Sequence, residues 1–160
     1  MILSAQTARK KLQRMALEVA ERNAGKEALV LIGIKENGIH IAHVLASYLA
    51  INFKGSIEVI SLELNKKMPA EITLDKTIDF NGKNILLIDD VANSGRTMMY
   101  ALKPLLDKYP AQVETLALVE RTHKQFPIAI NYCGISVSTT AIQTIIVEVN
   151  GSEISGAYIR

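Results

Sequence analysis

The stretch Asn84-Ile85-Leu86-Leu87-Ile88-Asp89-Asp90-Val91-Ala92-Asn93-Ser94-Gly95-Arg96-Thr97 decides the fold of this chain. Its apolar run Ile85–Ile88 has no polar interruption, which is typical of a strand covered on both faces in a parallel sheet. The run ends on two adjacent carboxylates, and a short polar loop follows. Ser94 is expected to cap a helix that runs to about Tyr109, although Pro104 should kink that helix or end it early. Strand, polar loop and helix together predict one unit of an α/β fold.

The same alternation continues on either side of this stretch. Other strands are predicted at Ala28–Ile34, Ser56–Leu64 and Val113–Val119, with shorter ones near Ala129–Ile135 and Thr144–Val149. Amphipathic helices are predicted from Ala5 to about Asn23 and from about Gly38 to Ala50, since apolar residues recur there at spacings of three and four. Residues Asn65–Phe80 are predicted to form a loop or hairpin, and Asn150–Arg160 a tail or strand. The predicted fold class is α/β, a parallel twisted sheet with helices on both faces.

Length and composition limit the classes of protein that this chain can belong to. Its 160 residues suit a single domain over 1–160, and 49% hydrophobic and 21% charged residues exclude a disordered chain. A net charge of +2 is too balanced to argue for nucleic acid or a membrane surface. The single cysteine, Cys133, excludes an internal disulfide framework and fits a reducing compartment. With no apolar run of membrane-spanning length and no signal-peptide pattern, a cytoplasmic protein is expected.

The loop after the predicted strand combines two kinds of ligand chemistry. Backbone N–H groups at a helix start form an anion site, and Gly95 lets the backbone come close to the anion. Ser94 and Thr97 add hydroxyl donors, while Asp89 and Asp90 suit sugar hydroxyls or a hydrated magnesium ion. A ligand with both a phosphate and a diol would satisfy both halves. The alternative is an ordinary helix cap beside a surface pair of carboxylates.

Four stretches of the chain resemble a known family. Asp89–Thr97 resembles the phosphoribosyl pyrophosphate (PRPP) signature of type I phosphoribosyltransferases, and Leu31–Ala42 resembles the pyrophosphate-loop segment of that family. Leu118–Ile128 and Asn131–Gly134 are similar to one branch, the bifunctional pyrimidine operon attenuators and uracil phosphoribosyltransferases. The resemblance implies a Rossmann-like sheet with a small hood, formed by the N-terminal and 129–149 segments.

The resemblance also implies a role for each matching residue. Asp89 and Asp90 would be the catalytic pair, holding the ribose hydroxyls and, directly or through water, Mg²⁺. The PRPP 5′-phosphate would be bound by Asn93, Ser94, Gly95, Arg96 and Thr97, and the pyrophosphate by Lys35, Glu36, Asn37 and Gly38. The base-binding hood would contain Gly134, Ile135, Ser136, Val137 and Ser138.

The activity implied by the resemblance is Mg²⁺-dependent transfer of the phosphoribosyl group from PRPP to a nucleobase, with uracil preferred. The alternatives are a PRPP-sensing RNA attenuator with little or no turnover, and a purine phosphoribosyltransferase. Family members usually assemble as dimers or tetramers, so a homo-oligomer is expected. RNA is a less favoured partner because the net charge is nearly neutral and no aromatic stacking platform is visible.

Three departures from the family pattern bear on these expectations. Asn37 stands where attenuator relatives usually have a basic residue, so one anion contact is expected to be lost. The segment between Leu64 and Asn84 is short, with Lys66 and Lys67 as its basic pair before Lys76, so closure over PRPP is expected to be weaker. Asn93 replaces the carboxylate that hypoxanthine–guanine relatives place beside the purine, which argues against a 6-oxopurine substrate.

Overall fold

A computed structural model describes all residues, 1–160, as two sheets with three helices. The strands are β1 (Leu3–Ser4), β2 (Ala28–Ile34), β3 (Ser56–Leu64), β4 (Ile72–Leu74), β5 (Asn84–Ala92), β6 (Gln112–Arg121), β7 (Tyr132–Val137), β8 (Ile145–Asn150) and β9 (Glu153–Ile159). The helices are α1 (Ala5–Arg22), α2 (Asn37–Asn52) and α3 (Arg96–Ala101), and a 3₁₀ turn follows at Lys103–Leu105. No helix is long and apolar enough to cross a membrane.

The larger sheet is parallel, as predicted, except for one edge strand. Its order is β4-β3-β2-β5-β6-β7, and only β4 runs antiparallel, in a hairpin with β3. Ile32 of β2 lies opposite Leu87 of β5, and Ile88 of β5 lies opposite Leu116 of β6. The apolar run of β5 therefore sits at the centre of the sheet, where both faces are covered.

Helices cover both faces of this sheet, which confirms the predicted fold class. Since strand side chains alternate between faces, Leu86 and Ile88 join one core with α1 and α2, while Ile85 and Leu87 join another with α3. Met98 of α3, only 1% exposed, belongs to the second core. The two cores fix β5 rigidly between helices, and β5 carries the acidic pair.

A second, smaller sheet joins the two ends of the chain. Its order is β1-β9-β8, and Leu3 pairs with Ala157 in antiparallel register. The predicted tail is thus the strand β9, ordered because Ile154 and Ala157 are buried in the core that α1 shares. Only the β8 part of the segment 129–149 lies in this sheet.

The hood prediction is corrected at Gly134–Val137. These residues belong to β7, which pairs in parallel with β6 at the edge of the main sheet. Tyr132, fully buried, anchors β7 in the core, and Gly134 packs directly on the backbone of Leu118. This pairing and packing hold the segment in the main sheet.

The strand–loop–helix stretch differs from its prediction at two boundaries. Strand β5 continues to Ala92, because its pairing with β6 persists through Val91 and Ala92, so the acidic pair lies inside the strand rather than after it. Helix α3 is preceded by Gly95 rather than capped by Ser94, and it ends at Ala101. The 3₁₀ turn containing Pro104 follows, as expected of a helix that proline ends early.

Candidate functional site

Two connected clefts lie beyond the carboxyl ends of β2 and β5, where ligands bind in open α/β sheets. The first cleft, of about 430 Å³, lies between Lys35–Asn37 and the segment Glu63–Lys67. The second cleft, of about 420 Å³, lies between the loop that begins at Asn93 and strand β8. Asn37, Lys66 and Asp90 line both clefts, so the two form one continuous site around the acidic pair.

Both carboxylates of the acidic pair are buried, and Asp90 lines both clefts whereas Asp89 lines neither. Asp89 is 1% exposed and Asp90 is 8% exposed. Asp89 Oδ1 accepts the N–H of Asp90 at 2.9 Å, and Asp90 Oδ1 accepts the N–H of Val91 at 2.8 Å. The ammonium of Lys66 lies 3.4 Å from Asp89 Oδ1 and 3.7 Å from Asp90 Oδ1. A single lysine therefore faces both carboxylates.

Burial changes the protonation behaviour of these groups. Desolvation, followed by repulsion from Asp90, raises the pKa of Asp89 well above its ordinary value, and the charge of Lys66 only partly opposes this. Burial lowers the pKa of Lys66, but its attraction to Asp89 and Asp90 is stronger in sum, so the pKa of Lys66 is raised. A nearby cation, here the ammonium of Lys66, therefore stabilises the charged form of the pair.

Asn37 connects three elements around the pair. Its Nδ2 donates to Asp90 Oδ2 at 2.8 Å and to the Val147 carbonyl at 3.0 Å. The first residue of α2 therefore holds β5 and β8 together. Sequence reasoning placed Asn37 in the pyrophosphate loop, in the position of a lost cation, and missed this bridge.

The remaining residues of the predicted pyrophosphate loop divide into lining and packing roles. Lys35 and Glu36, joined by a cis peptide bond, line the first cleft with Asn37. Lys35 Nζ lies 3.2 Å from the carboxylate of Glu63. Gly38 does not line the cleft; it packs against the backbone of Ile88 and Asp89, where a β-carbon would meet the Ile88 carbonyl at 2.6 Å.

The loop before α3 has the backbone of an anion site. Gly95 has a φ of +86°, a left-handed conformation that glycine adopts readily, and its buried side faces Ile128. Ser94 Oγ accepts the N–H of Arg96 at 3.3 Å. Asn93, Ser94, Arg96 and Thr97 line the second cleft, so four of the five predicted phosphate-binding residues come together there.

The short segment after β3 lies at the mouth of the site. The guanidinium of Arg96 donates to the carbonyl of Lys67 at 3.1 Å, which ties this segment to the anion loop. Lys66 and Lys67 both line the first cleft. The basic pair noted in the sequence is therefore brought next to the acidic pair.

None of the predicted base-binding residues Gly134, Ile135, Ser136, Val137 and Ser138 lines either cleft. Ser138 instead shares a hydrogen bond with Thr122 at 3.0 Å. The wall facing the anion loop is formed by Ile145, Ile146 and Val147 of β8. Sequence reasoning predicted this strand but not its role, although its apolar run offered a signal.

Arg121, the last residue of β6, is a second residue that sequence reasoning missed. It is 9% exposed, and its Nη1 donates to Asn93 Oδ1 at 3.1 Å. Its Nη2 donates to the carbonyl of Thr140, before β8. A charged residue at the carboxyl end of a central strand was the available signal.

The donor set around the pair fits Mg²⁺ only together with a ligand. Mg²⁺ keeps several waters and is held by one or two carboxylates plus substrate phosphates. Asp89 and Asp90 supply two carboxylates, and the chain contains no cluster of three or more His, Cys, Asp or Glu side chains that could hold a metal. The ammonium of Lys66 lies within 3.7 Å of both carboxylates, so it would compete with such an ion for them.

Comparisons with known proteins agree with this geometry. Residues 1–150 match the family model described as "Phosphoribosyl transferase domain". "Bifunctional protein PyrR" of Bacillus pumilus is 34% identical over 161 residues, covering 93% of this chain and 89% of the relative. The protein of the same name from Streptococcus uberis is 34% identical, covering 89% and 86%.

Solved structures show the same fold at lower identity. Hypoxanthine phosphoribosyltransferase of Trypanosoma cruzi superposes with a TM-score of 0.82 at 16% identity, covering 98% of this chain and 94% of that one. A hypoxanthine-guanine phosphoribosyltransferase of Bacillus anthracis gives 0.75 at 16% identity, with 99% and 96% covered. The chain therefore belongs to the type I phosphoribosyltransferase family, with relatives that are bifunctional PyrR proteins.

Proposed function

We propose that this protein transfers the 5-phosphoribosyl group from PRPP to a nucleobase, giving a nucleoside monophosphate and pyrophosphate. The observation that carries the proposal is the joining of two clefts at a buried acidic pair. One cleft has an anion loop and the other has basic side chains. PRPP carries a 5′-phosphate, a ribose diol and a pyrophosphate in that order. These groups would bind to the anion loop, the acidic pair and the basic side chains, respectively.

Each group of PRPP has a proposed place. The 5′-phosphate binds to Asn93–Thr97, mainly through backbone N–H groups. The ribose hydroxyls donate to Asp89 and Asp90. The pyrophosphate occupies the first cleft at Lys35–Asn37, where Lys66 and Lys67 add positive charge. Lys66 exchanges its contact with the carboxylates for one with the pyrophosphate.

The base is proposed to lie in the second cleft. Ile145 and Ile146 offer an apolar surface for a flat ring, and Asn93 offers a polar edge. Uracil is the proposed acceptor, because the relatives at 32–34% identity carry the name PyrR. The names that contain hypoxanthine or hypoxanthine-guanine belong to structures that share only the fold, at 16–17% identity.

The reaction needs no covalent nucleophile. The bond from the anomeric carbon to pyrophosphate breaks, a bond to the base nitrogen forms, and the proton on that nitrogen is lost. Positive charge develops on the ribose, close to the carboxylates of Asp89 and Asp90, which stabilise it electrostatically. Mg²⁺, when bound, neutralises the leaving pyrophosphate. Holding both reactants in line supplies the remaining catalysis.

A second candidate is a PRPP- or nucleotide-sensing regulator that binds RNA and turns over slowly. Two points favour it: the relatives are named bifunctional, and the amide of Asn37 is bonded to Asp90 in the loop where the resemblance implies a cation. In this reading Asn37 keeps the acidic pair linked to β8 and slows ligand turnover.

Pyrophosphate release from PRPP and Mg²⁺ tests the proposal, with uracil, hypoxanthine, guanine, xanthine, adenine and orotate supplied singly. We expect turnover with uracil and its loss in the Asp89→Asn, Asp90→Asn double variant. Asp107→Asn is the control, because this carboxylate is 73% exposed and remote from the clefts. PRPP binding without turnover, together with a gel shift of pyrimidine-operon leader RNA, would support the regulator. Absence of PRPP binding would contradict both.

A further inference from the structure

Arg121 is a buried cation without a counter-ion. No carboxylate lies within 4.0 Å of its guanidinium, and its buried Nε has no hydrogen-bond partner. The adjacent carboxylate, Glu120, is paired with Lys124 at 3.0 Å. Burying an unpaired charge is costly, so its retention points to a role at the cleft that it borders.

The hydrogen bond from Arg121 fixes which way the amide of Asn93 points. A guanidinium has donors only, so the Asn93 atom that faces it at 3.1 Å has to be the carbonyl oxygen Oδ1. The Nδ2 group then points away from Arg121. It has no partner within the protein, and Asn93 is exposed to the second cleft.

The second contact of Arg121 holds the opposite wall of the cleft. Its Nη2 donates to the carbonyl of Thr140, in the segment that leads into β8. Arg121 thus sets the position of Asn93 relative to the apolar wall of Ile145 and Ile146. A flat ring on that wall presents one edge to the two free N–H donors of Asn93. The nearby positive charge polarises the amide and strengthens these donors.

We propose that Asn93 is a specificity-determining residue, held by Arg121 so that it donates to the base. The acceptor base then needs a carbonyl oxygen or an unprotonated ring nitrogen at the edge facing Asn93, and a base with an N–H group there is rejected. Arg121 acts through Asn93 and is a positioning residue. This inference rests on the proposed function and names the class of base that its site takes.

The test compares Asn93→Asp with the wild-type protein. The aspartate keeps the contact with Arg121 as an ion pair, so the loop is retained, but it presents acceptors where the amide presents donors. The KM for the accepted base should rise about 10- to 100-fold, a larger factor than the change in the Kd for PRPP, whose 5′-phosphate lies beside the same loop. The Kd of the product nucleotide, measured by calorimetry, should rise by the same factor and needs no turnover.

Arg121 has its own readout. In Arg121→Met the amide of Asn93 is free to turn, so discrimination between uracil and its 2-thio and 4-thio analogues, which have poorer acceptors, should fall to less than about threefold. Arg121→Lys keeps one donor and should restore part of the discrimination. A purely structural Arg121 would lower the melting temperature without changing base preference.

The outcomes separate this inference from the proposed function. Absence of wild-type turnover contradicts the proposed enzyme, yet weaker nucleotide binding in Asn93→Asp would still support the inference. An unchanged base KM and an unchanged nucleotide Kd in Asn93→Asp would overturn the inference even if the wild-type enzyme is active. Failure of the wild-type protein to bind nucleotide would overturn both.

Discussion

Replacing Gly38 by alanine should separate the geometry of the site from the stability of the fold. Gly38 lies at the start of α2 and packs against Ile88 and Asp89 of β5. An added β-carbon would lie 2.6 Å from the Ile88 carbonyl and 3.1 Å from the Asp89 α-carbon. Both neighbours are backbone atoms at the centre of the sheet, so neither can turn aside as a flexible side chain would.

The size of the effect follows from these distances. Ordinary contact begins near 3.4 Å, so α2 and β5 have to separate by about 0.8 Å beside the acidic pair. Overpacking of this kind costs about 1–3 kcal/mol, which is a fall of about 2–12 °C in melting temperature for a chain of this length. A misplacement approaching 1 Å at a catalytic site costs about 100-fold in rate. We therefore expect kcat/KM to fall by about that factor.

Gly55→Ala is the matched control, because its β-carbon would meet the Glu27 carbonyl, also at 2.6 Å, at the opposite end of the sheet. Both variants should lose similar stability in thermal unfolding. Only Gly38→Ala should weaken PRPP binding, measured by calorimetry, by about 10-fold or more. Equal PRPP affinities in the two variants would show that the contact of Gly38 with β5 does not position the site, as would a Gly38→Ala protein that matches the wild type in both properties.

Three further variants test other parts of the site and the core. Burial raises the pKa of Asp89, so the unfolded chain releases this proton at lower pH than the folded protein does. The contribution of Asp89 to the free energy of unfolding therefore falls as pH rises above about 4. Asp89→Asn should therefore gain stability over the wild type from pH 5 to pH 8 in urea unfolding, while losing PRPP binding; a pH-independent difference would contradict this. Asn37→Ala loses its bonds to Asp90 and Val147, so amide exchange should accelerate in β8, and unchanged exchange there would disprove the bridge. Tyr132→Phe removes a hydroxyl 3.0 Å from both carboxylate oxygens of Glu114 and should cost about 2 kcal/mol with unchanged PRPP affinity; an affinity loss would show that this core contact reaches the site.

The parallel sheet could be predicted from sequence because its central strands are uninterrupted apolar runs. Ala28–Ile34 and Ser56–Leu64 match β2 and β3 at both ends. The end of β5 could not be predicted, since adjacent aspartates look like the end of a strand. Pairing of Asp89 with Ala117 and of Val91 with Val119 extends the ladder beyond them. That pairing is a tertiary interaction, which no local pattern contains.

The small sheet shows a similar limit. Strand β9 has Ser155 and Gly156 between Ile154 and Ala157, and it becomes buried only by docking against β1 and α1. Tyr132–Val137 was assigned to the hood by resemblance, whereas the packing of Gly134 on Leu118 keeps it in the main sheet.

Within the site, residues that belong to a continuous motif were found and those contributed by distant strands were missed. Asp90, Asn93, Ser94, Arg96 and Thr97 line one cleft because one strand and one turn carry them. Arg121 and Ile145 reach the same cleft from β6 and β8. A sequence shows that Arg121 is charged, but only the fold shows that it is buried and aimed at Asn93.

The central claim is that this chain makes a bond between ribose and a base. The most direct measurement is the ¹³C spectrum of PRPP labelled at its anomeric carbon, followed in the presence of the protein, Mg²⁺ and uracil. The label should move from the signal of a carbon bonded to pyrophosphate oxygen to that of a carbon bonded to nitrogen. Persistence of the original signal with every base, or its conversion to free ribose 5-phosphate alone, would contradict it.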